Sequence, residues 1–136
     1  MIKFETSRFG SLEVEPHRVI DFPEGLIGLP ELKKFILIDH RDTPLKWLQS
    51  LDDPDMAFIV GSPSLLVAEY SLQLEDGVRK YLQLNKEEDL VPLVIMRVQG
   101  EDIIANFQGP ILINAEKMRG VQLVVDSKPR ASQKAG

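Results

Sequence analysis

Turn formers cut this chain into pieces too short for a long helix. Gly10, Pro16, Pro23, Pro30, Pro44, Pro54, Gly61, Gly77, Gly100, Gly109 and Gly120 interrupt it, and most segments between them are of strand length. Apolar and polar residues alternate through Ile2–Thr6 and again from Ser11 to Glu15, the period of a half-buried strand. Gly10 suits the turn between them, where positive φ is needed. Further strands are expected at Val19–Phe22, Phe35–Asp39, Met56–Val60, Leu93–Val98, Ile103–Phe107, Ile111–Ile113 and Val121–Val125. Leu65–Leu74 is also strand-compatible, with Leu66, Ala68, Tyr70, Leu72 and Leu74 sharing a parity. From Leu74 onward Val78, Tyr81 and Leu82 fall at helical spacing, which predicts a short helix that Gly77 weakens. Single helical turns are expected at Glu31–Lys34 and after Asn85, where Glu88 completes a capping pattern. Many short strands with little helix predict a mainly β, antiparallel barrel or sandwich of one domain. The domain is expected to span residues 1–126. The small, polar, basic residues 127–136 have nothing to bury and are expected to be disordered.

The bulk properties exclude several functions. The chain has no cysteine, which removes disulfides, thiolate zinc sites and cysteine nucleophiles. A formal charge of −5 argues against direct nucleic-acid binding, which requires an excess of Lys and Arg. No apolar run reaches the ~18 residues of a membrane span, and the N-terminus lacks a signal-peptide core, so no membrane role and a cytoplasmic location are expected. His17 and His40 sit in polar turns without a metal-ligand partner nearby. No nucleophile elbow, Walker loop or Rossmann fingerprint occurs. No catalytic residue, metal or cofactor is therefore assigned.

Three stretches remain. In Pro23–Pro30 two glycines and two prolines bend a loop that still carries Leu26, Ile27 and Leu29, either folded over a barrel end or offered to a partner. Its Gly25-Leu26-Ile27-Gly28 outline matches an RNA-clamping loop only weakly, lacking basic flanks. In Pro44–Val60 the only tryptophan, Trp47, precedes Gln49, Ser50 and an acidic tip, Asp52-Asp53-Pro54-Asp55. Trp47 can plug a core or anchor an interface. The aspartates lack the glycine bend and distal Glu of a calcium loop and read as a turn bonding local amides. In the third stretch Asn106 and Asn114 flank Gly109-Pro110. Asparagine is disfavoured in strands, so both are read as buried amides pinning irregular backbone. On chemistry alone, partner contact is expected at Glu24, Asp52, Asp53 and Asp55, with Trp47 or the Leu26–Ile27 pair as apolar anchor.

Three blocks, Phe22–Phe35, Pro44–Phe58 and Ala105–Val125, resemble the FliW family of bacterial flagellar assembly factors, and the likeness runs from about Phe4 to Val125. Phe107-Gln108-Gly109 departs mildly from the family pattern. Gln49, Ser50, Asn106, Pro110, Asn114 and Gln122 fall among its signature positions. The resemblance implies a small β-barrel-like fold without catalytic activity and two protein partners, flagellin and the RNA-binding translational regulator CsrA. On that implication the protein releases flagellin translation from CsrA repression when flagellin is depleted. A flagellin chaperone without a regulatory arm and a small β-barrel enzyme are the alternatives.

Overall fold

A computed structural model describes residues 1–68 and 70–125. The expected basic tail, 127–136, lies outside the described residues. Ten strands form: β1 Ile2–Thr6, β2 Gly10–Val14, β3 Ile20–Asp21, β4 Lys34–Asp39, β5 Lys46–Ser50, β6 Ala57–Gly61, β7 Leu90–Gln99, β8 Asp102–Ala105, β9 Ile111–Asn114 and β10 Arg119–Gln122. Among the described residues one α-helix, α1, spans Asp76–Leu82. The hydrogen-bonded order is β6-β5-β4-β3-β10-β9-β7-β8, and β6 also pairs with β7. Seven strands therefore close a ring, and β8 continues outward on β7. The pairings are antiparallel except β3 with β10, which is parallel through Arg119 and Asp21, a departure from the all-antiparallel expectation.

Closure follows from the length of β7. Its first residues, Leu90–Leu93, pair with β9. Val94, Ile95 and Met96 pair with β6, and Met96–Gln99 pair with β8. Alternate residues face inward, so Ile20, Phe22, Phe35, Leu48, Val60, Leu93, Ile111 and Ile113 form one buried cluster. Phe22 and Phe35 meet edge to face, with centroids 5.2 Å apart, an arrangement the ring quadrupoles favour. Gly120 is required here, because a Cβ would lie 2.5 Å from the Phe22 ring.

The other face of the wall is also covered. Hairpin β1–β2 forms its own two-stranded sheet, and its turn residues Arg8 and Phe9 pack on Trp47 of β5. Segment 62–89, with α1, covers the wall near β7, β9 and β10; Asn114 donates to the Leu82 and Gln83 carbonyls at 2.9 and 3.1 Å.

Several expectations are corrected. β5 is a strand where Trp47-Leu48-Gln49-Ser50 reads as the approach to a turn. Among the described residues of Leu65–Leu74 no strand forms: a 3-10 turn spans Pro63–Leu65, and the buried residue is Val67 rather than the Leu66 parity. The ring is already closed by β6 and β7, so this segment finds no ladder. No helical turn forms at Glu31–Lys34. Asp52 accepts from the Lys33 and Lys34 amides at 2.7 and 2.9 Å, which draws the chain straight into β4. The turn after Asn85 is a 3-10 turn, Glu87–Asp89, flanked by Lys86 without a side-chain cap; Asn85 bonds Glu116 instead. Asn106 lies just past β8 and is exposed, unlike the buried Asn114.

Candidate functional site at the barrel mouth

Chain direction assigns each connection to one end of the barrel. β3, β5, β7 and β10 run towards one end; β4, β6 and β9 leave it. The turns 22–33, 51–56 and 106–110 and the segment 123–125 therefore gather at that end, called here the mouth. The turns 22–33 and 106–110 and the segment 123–125, with Phe58, Ile95 and Gln122 from β6, β7 and β10, enclose a cavity of ≈ 330 Å³ lined by Leu26, Ile27, Leu29, Phe58, Ile95, Asn106, Gln108, Gly109, Gln122 and Val124. The floor is apolar: Leu29, Phe58 and Ile95 pack against the core cluster and Leu26 belongs to it. At the rim Ile27 is 53% exposed and Val124 72%, while amides from Asn106, Gln108 and Gln122 stand between them.

The rim is held by side-chain amides. Gln122 accepts from the Ile27 N–H at 2.9 Å and donates to the Gly109 carbonyl at 3.0 Å. Asn106 accepts from the Gly109 N–H at 3.1 Å. One glutamine thus ties the apolar turn to the Gly109-Pro110 bend, each bond contributing about 1 kcal/mol. Beyond Gln122, Leu123 donates to Pro110 and Val125 to Gln108, both at 2.9 Å, so the ladder of β10 continues to the rim. Leu26 and Leu29 pair across the turn tip, and Gly25 makes the bend possible at φ +69, where a Cβ would lie 2.6 Å from the Leu29 carbonyl oxygen and the Pro30 Cα.

The acidic tip is built differently. Ser50 is fully buried and accepts from the Asp52 and Asp53 amides, both at 3.0 Å. Buried Gln49 donates to the Ser50, Pro54 and Met56 carbonyls. Asp52 holds the Lys33 and Lys34 amides, Asp53 the Asp55 amide at 2.9 Å, and Asp55 bonds the Ser7 hydroxyl. Each of the three carboxylates is therefore engaged within the molecule.

Of the residues expected to meet a partner, Glu24, Leu26, Ile27, Asp52, Asp53 and Asp55 come to the mouth end. Trp47 does not. It is half-buried on the outer wall, edge-on to Phe9 at 5.9 Å, beside His40 at 5.5 Å and under the Arg8 guanidinium at 4.4 Å. Glu24 is exposed and lies beside Tyr81, whose phenol is held above its ordinary range by burial and then by the Glu24 carboxylate. Reasoning from sequence missed Gln108 and Val124 as rim residues. Parity could have found Val124, since it follows Gly120 and Gln122 on the inward face.

None of the ten lining side chains is an acid, a base or a nucleophile, so the cavity offers apolar contact and amide hydrogen bonding rather than proton transfer. A second, cationic depression of ≈ 440 Å³ at the opposite end is lined by Arg79, Lys80, Gln83, Leu84, Asn85 and Lys117, and Arg79 is paired with Glu87. Among the described residues no group of three or more His, Asp or Glu is arranged to hold a metal, and no helix is long and apolar enough to cross a membrane.

Comparison with known proteins gives a consistent result. The model of the FliW protein family matches residues 3–135. A flagellar assembly factor FliW of Leptospira interrogans (strain Fiocruz L1-130) is 40% identical over 127 residues, covering 90% of this chain and 85% of that protein. Another from Caldanaerobacter subterraneus subsp. tengcongensis is 35% identical over 130 residues, covering 93% and 87%. A crystal structure of the flagellar assembly factor FliW superposes with a TM-score of 0.86 at 31% identity, covering 94% of both chains.

Proposed function

We propose, since the chain belongs to the FliW family of flagellar assembly factors, that it acts as a non-enzymatic partner-switching regulator. Its two partners are flagellin and CsrA. Flagellin in excess occupies the protein and leaves CsrA free to repress flagellin translation; once flagellin is exported, the protein binds CsrA and relieves that repression. The action belongs in the cytoplasm, where translation and flagellin synthesis occur.

The observation that carries the contact side of this reading is the mouth. Exposed Ile27 and Val124 flank an apolar-floored depression, and the amide rim is fixed before any partner arrives, which lowers the ordering cost of binding. Apolar anchors surrounded by polar rim groups are the pattern of interface hot spots. Glu24 and the 51–56 turn add negative charge at the same end, which speeds encounter with a basic partner more than it tightens the complex.

Switching requires negative coupling between the two partners, and that coupling is reciprocal. The test is a competition titration: the protein is loaded with CsrA and flagellin is added. Displacement of CsrA is expected. Failure of both partners to bind at micromolar concentration would sink the reading, and flagellin binding without any effect on CsrA would reduce the protein to a chaperone.

A further inference from the structure

Hairpin β7–β8 leaves the barrel after Met96 and carries apolar side chains into solvent: Val98 is 65% exposed, Ile103 42% and Ile104 40%. Val98 and Ile103 are directly paired and share one face, while Arg97 and Ile104 share the other. β8 is the last strand of its sheet, with β7 as its one partner among the described residues.

The register shows which backbone groups are available. Asn106 donates to the Ile95 carbonyl at 2.9 Å, and the pairs Arg97 with Ile104 and Gln99 with Asp102 continue the same alternation, so these are the hydrogen-bonded pairs. The N–H and C=O groups of Ile103 and Ala105 accordingly point away from β7. Protein edges of this kind are ordinarily guarded by lysine, proline, a bulge or a covering element. Between Arg97 and Gln108 the sequence contains neither lysine nor proline. The slot is short: Val125, bonded to Gln108, bounds one end and the Gly100-Glu101 turn bounds the other.

We propose that β8 accepts an added strand from a protein partner, an extended segment with β-branched residues on one face and a lysine or arginine set against Asp102. Strand addition satisfies the outward groups of Ile103 and Ala105 through the partner backbone, and alternate side chains supply selectivity. One face of the incoming strand packs on Ile103 and Val98; the other meets Ile104 and Asp102. The charge points to a cationic segment, because neither Glu101 nor Asp102 joins an ion pair among the described residues.

Two other occupants fit less well. A second copy paired about a two-fold axis sets Asp102 against Asn106 when Ile103 faces Ala105, or against Ile104 when Ile103 faces its own copy, and either register leaves the acid unanswered. Its four-residue ladder also falls far below the ~1,200 Å² of a stable interface. Residues 126–136 are basic, but they contain no β-branched or aromatic residue to cover Ile103 and Val98.

The experiment is residue-resolved amide exchange of the full chain, titrated to millimolar concentration with the capped peptide Thr-Val-Lys-Val-Thr-Val-Lys-Thr. Exchange at Ile103 and Ala105 is expected to slow about fivefold or more, with Ile104 unchanged because it is already bonded to β7. Asp102→Lys should abolish most of that slowing while leaving the hairpin folded. Equal exchange with and without peptide overturns the proposal. Protection of Ile103 that grows with protein concentration in the absence of peptide overturns it in favour of a second copy. Protection already present without peptide and lost on deleting residues 127–136 overturns it in favour of the chain's own tail.

Discussion

The turn 51–56 carries three carboxylates and the tip of the turn 22–33 carries Leu26, Ile27 and Leu29, and both close the same end of the barrel. In the acidic turn each carboxylate is directed at the molecule itself, towards the Lys33, Lys34 and Asp55 amides or the Ser7 hydroxyl. In the apolar turn Leu26 sinks into the core while Ile27 stays in solvent. Charge at a surface turn is thus mostly structural here, and the side chain left over for a partner is an apolar one. The buried polar floor explains the difference: Ser50 and Gln49 hold the acidic turn from below, whereas the apolar turn is held through its backbone by Gln122.

Breaking the apolar turn is expected to have the largest effect. Gly25→Ala places a Cβ 2.6 Å from backbone atoms of Leu29 and Pro30 at φ +69. Backbone cannot move aside as a flexible side chain can, so a loss of about 3–4 kcal/mol is expected. Urea denaturation measures it; a loss below about 1 kcal/mol would show that the turn can rearrange.

Breaking the acidic turn ranks next. Ser50→Ala strips the acceptor from two amides and should lower stability by about 2–3 kcal/mol. Asp52→Ala, at an exposed position, should still lower it by about 1–2 kcal/mol through the Lys33 and Lys34 amides. If Asp52 serves only a partner, the denaturation midpoint of this variant will not move.

The comparison is sharpest at Ile27. Ile27→Asp should change stability by no more than about 0.5 kcal/mol, because the side chain is more than half exposed. On the proposed function, it should weaken binding of at least one partner about tenfold, equivalent to about 1.4 kcal/mol. Calorimetric titration of each partner with the variant separates the two effects, and unchanged affinity for both would remove the mouth from the binding surface.

Sequence reading and structure agree best where one physical signal acts alone. Period-two alternation locates β1 and β2, short apolar runs locate β4 and β9, and helical spacing locates α1. β5 escapes because Lys46, Gln49 and Ser50 look like a turn; the acidic turn folds back on Gln49 and Ser50 through side-chain bonds that alternation does not report. Leu65–Leu74 errs in the opposite sense, since alternation cannot reveal that β6 and β7 have already closed the ring. At the mouth, Ile27, Glu24 and the aspartates could be nominated from chemistry, but their convergence depends on the direction of seven strands. Trp47 drew attention as the only tryptophan and lies elsewhere, between Phe9, His40 and Arg8.

The smallest expected effect concerns Glu24, whose carboxylate lies near the Tyr81 phenol. Burial first, and then the Glu24 carboxylate, hold the Tyr81 phenol above its ordinary range. The folded state therefore keeps this proton to higher pH than the unfolded chain does. Above about pH 10 the unfolded chain releases the proton first, so it binds fewer protons than the folded state and stability falls as pH rises. Below that pH both states are protonated and the group has no effect. Tyr81→Phe should remove this part of the alkaline loss, while Tyr70, whose phenol is also raised by burial, retains its own. Glu24→Gln should shift the onset less than Tyr81→Phe, because burial outranks the carboxylate. Thermal midpoints compared at neutral pH and above about pH 10 test the order; a Tyr81→Phe variant whose alkaline loss equals that of the parent would show that Glu24 and Tyr81 are not coupled, leaving Glu24 available to a partner alongside Ile27.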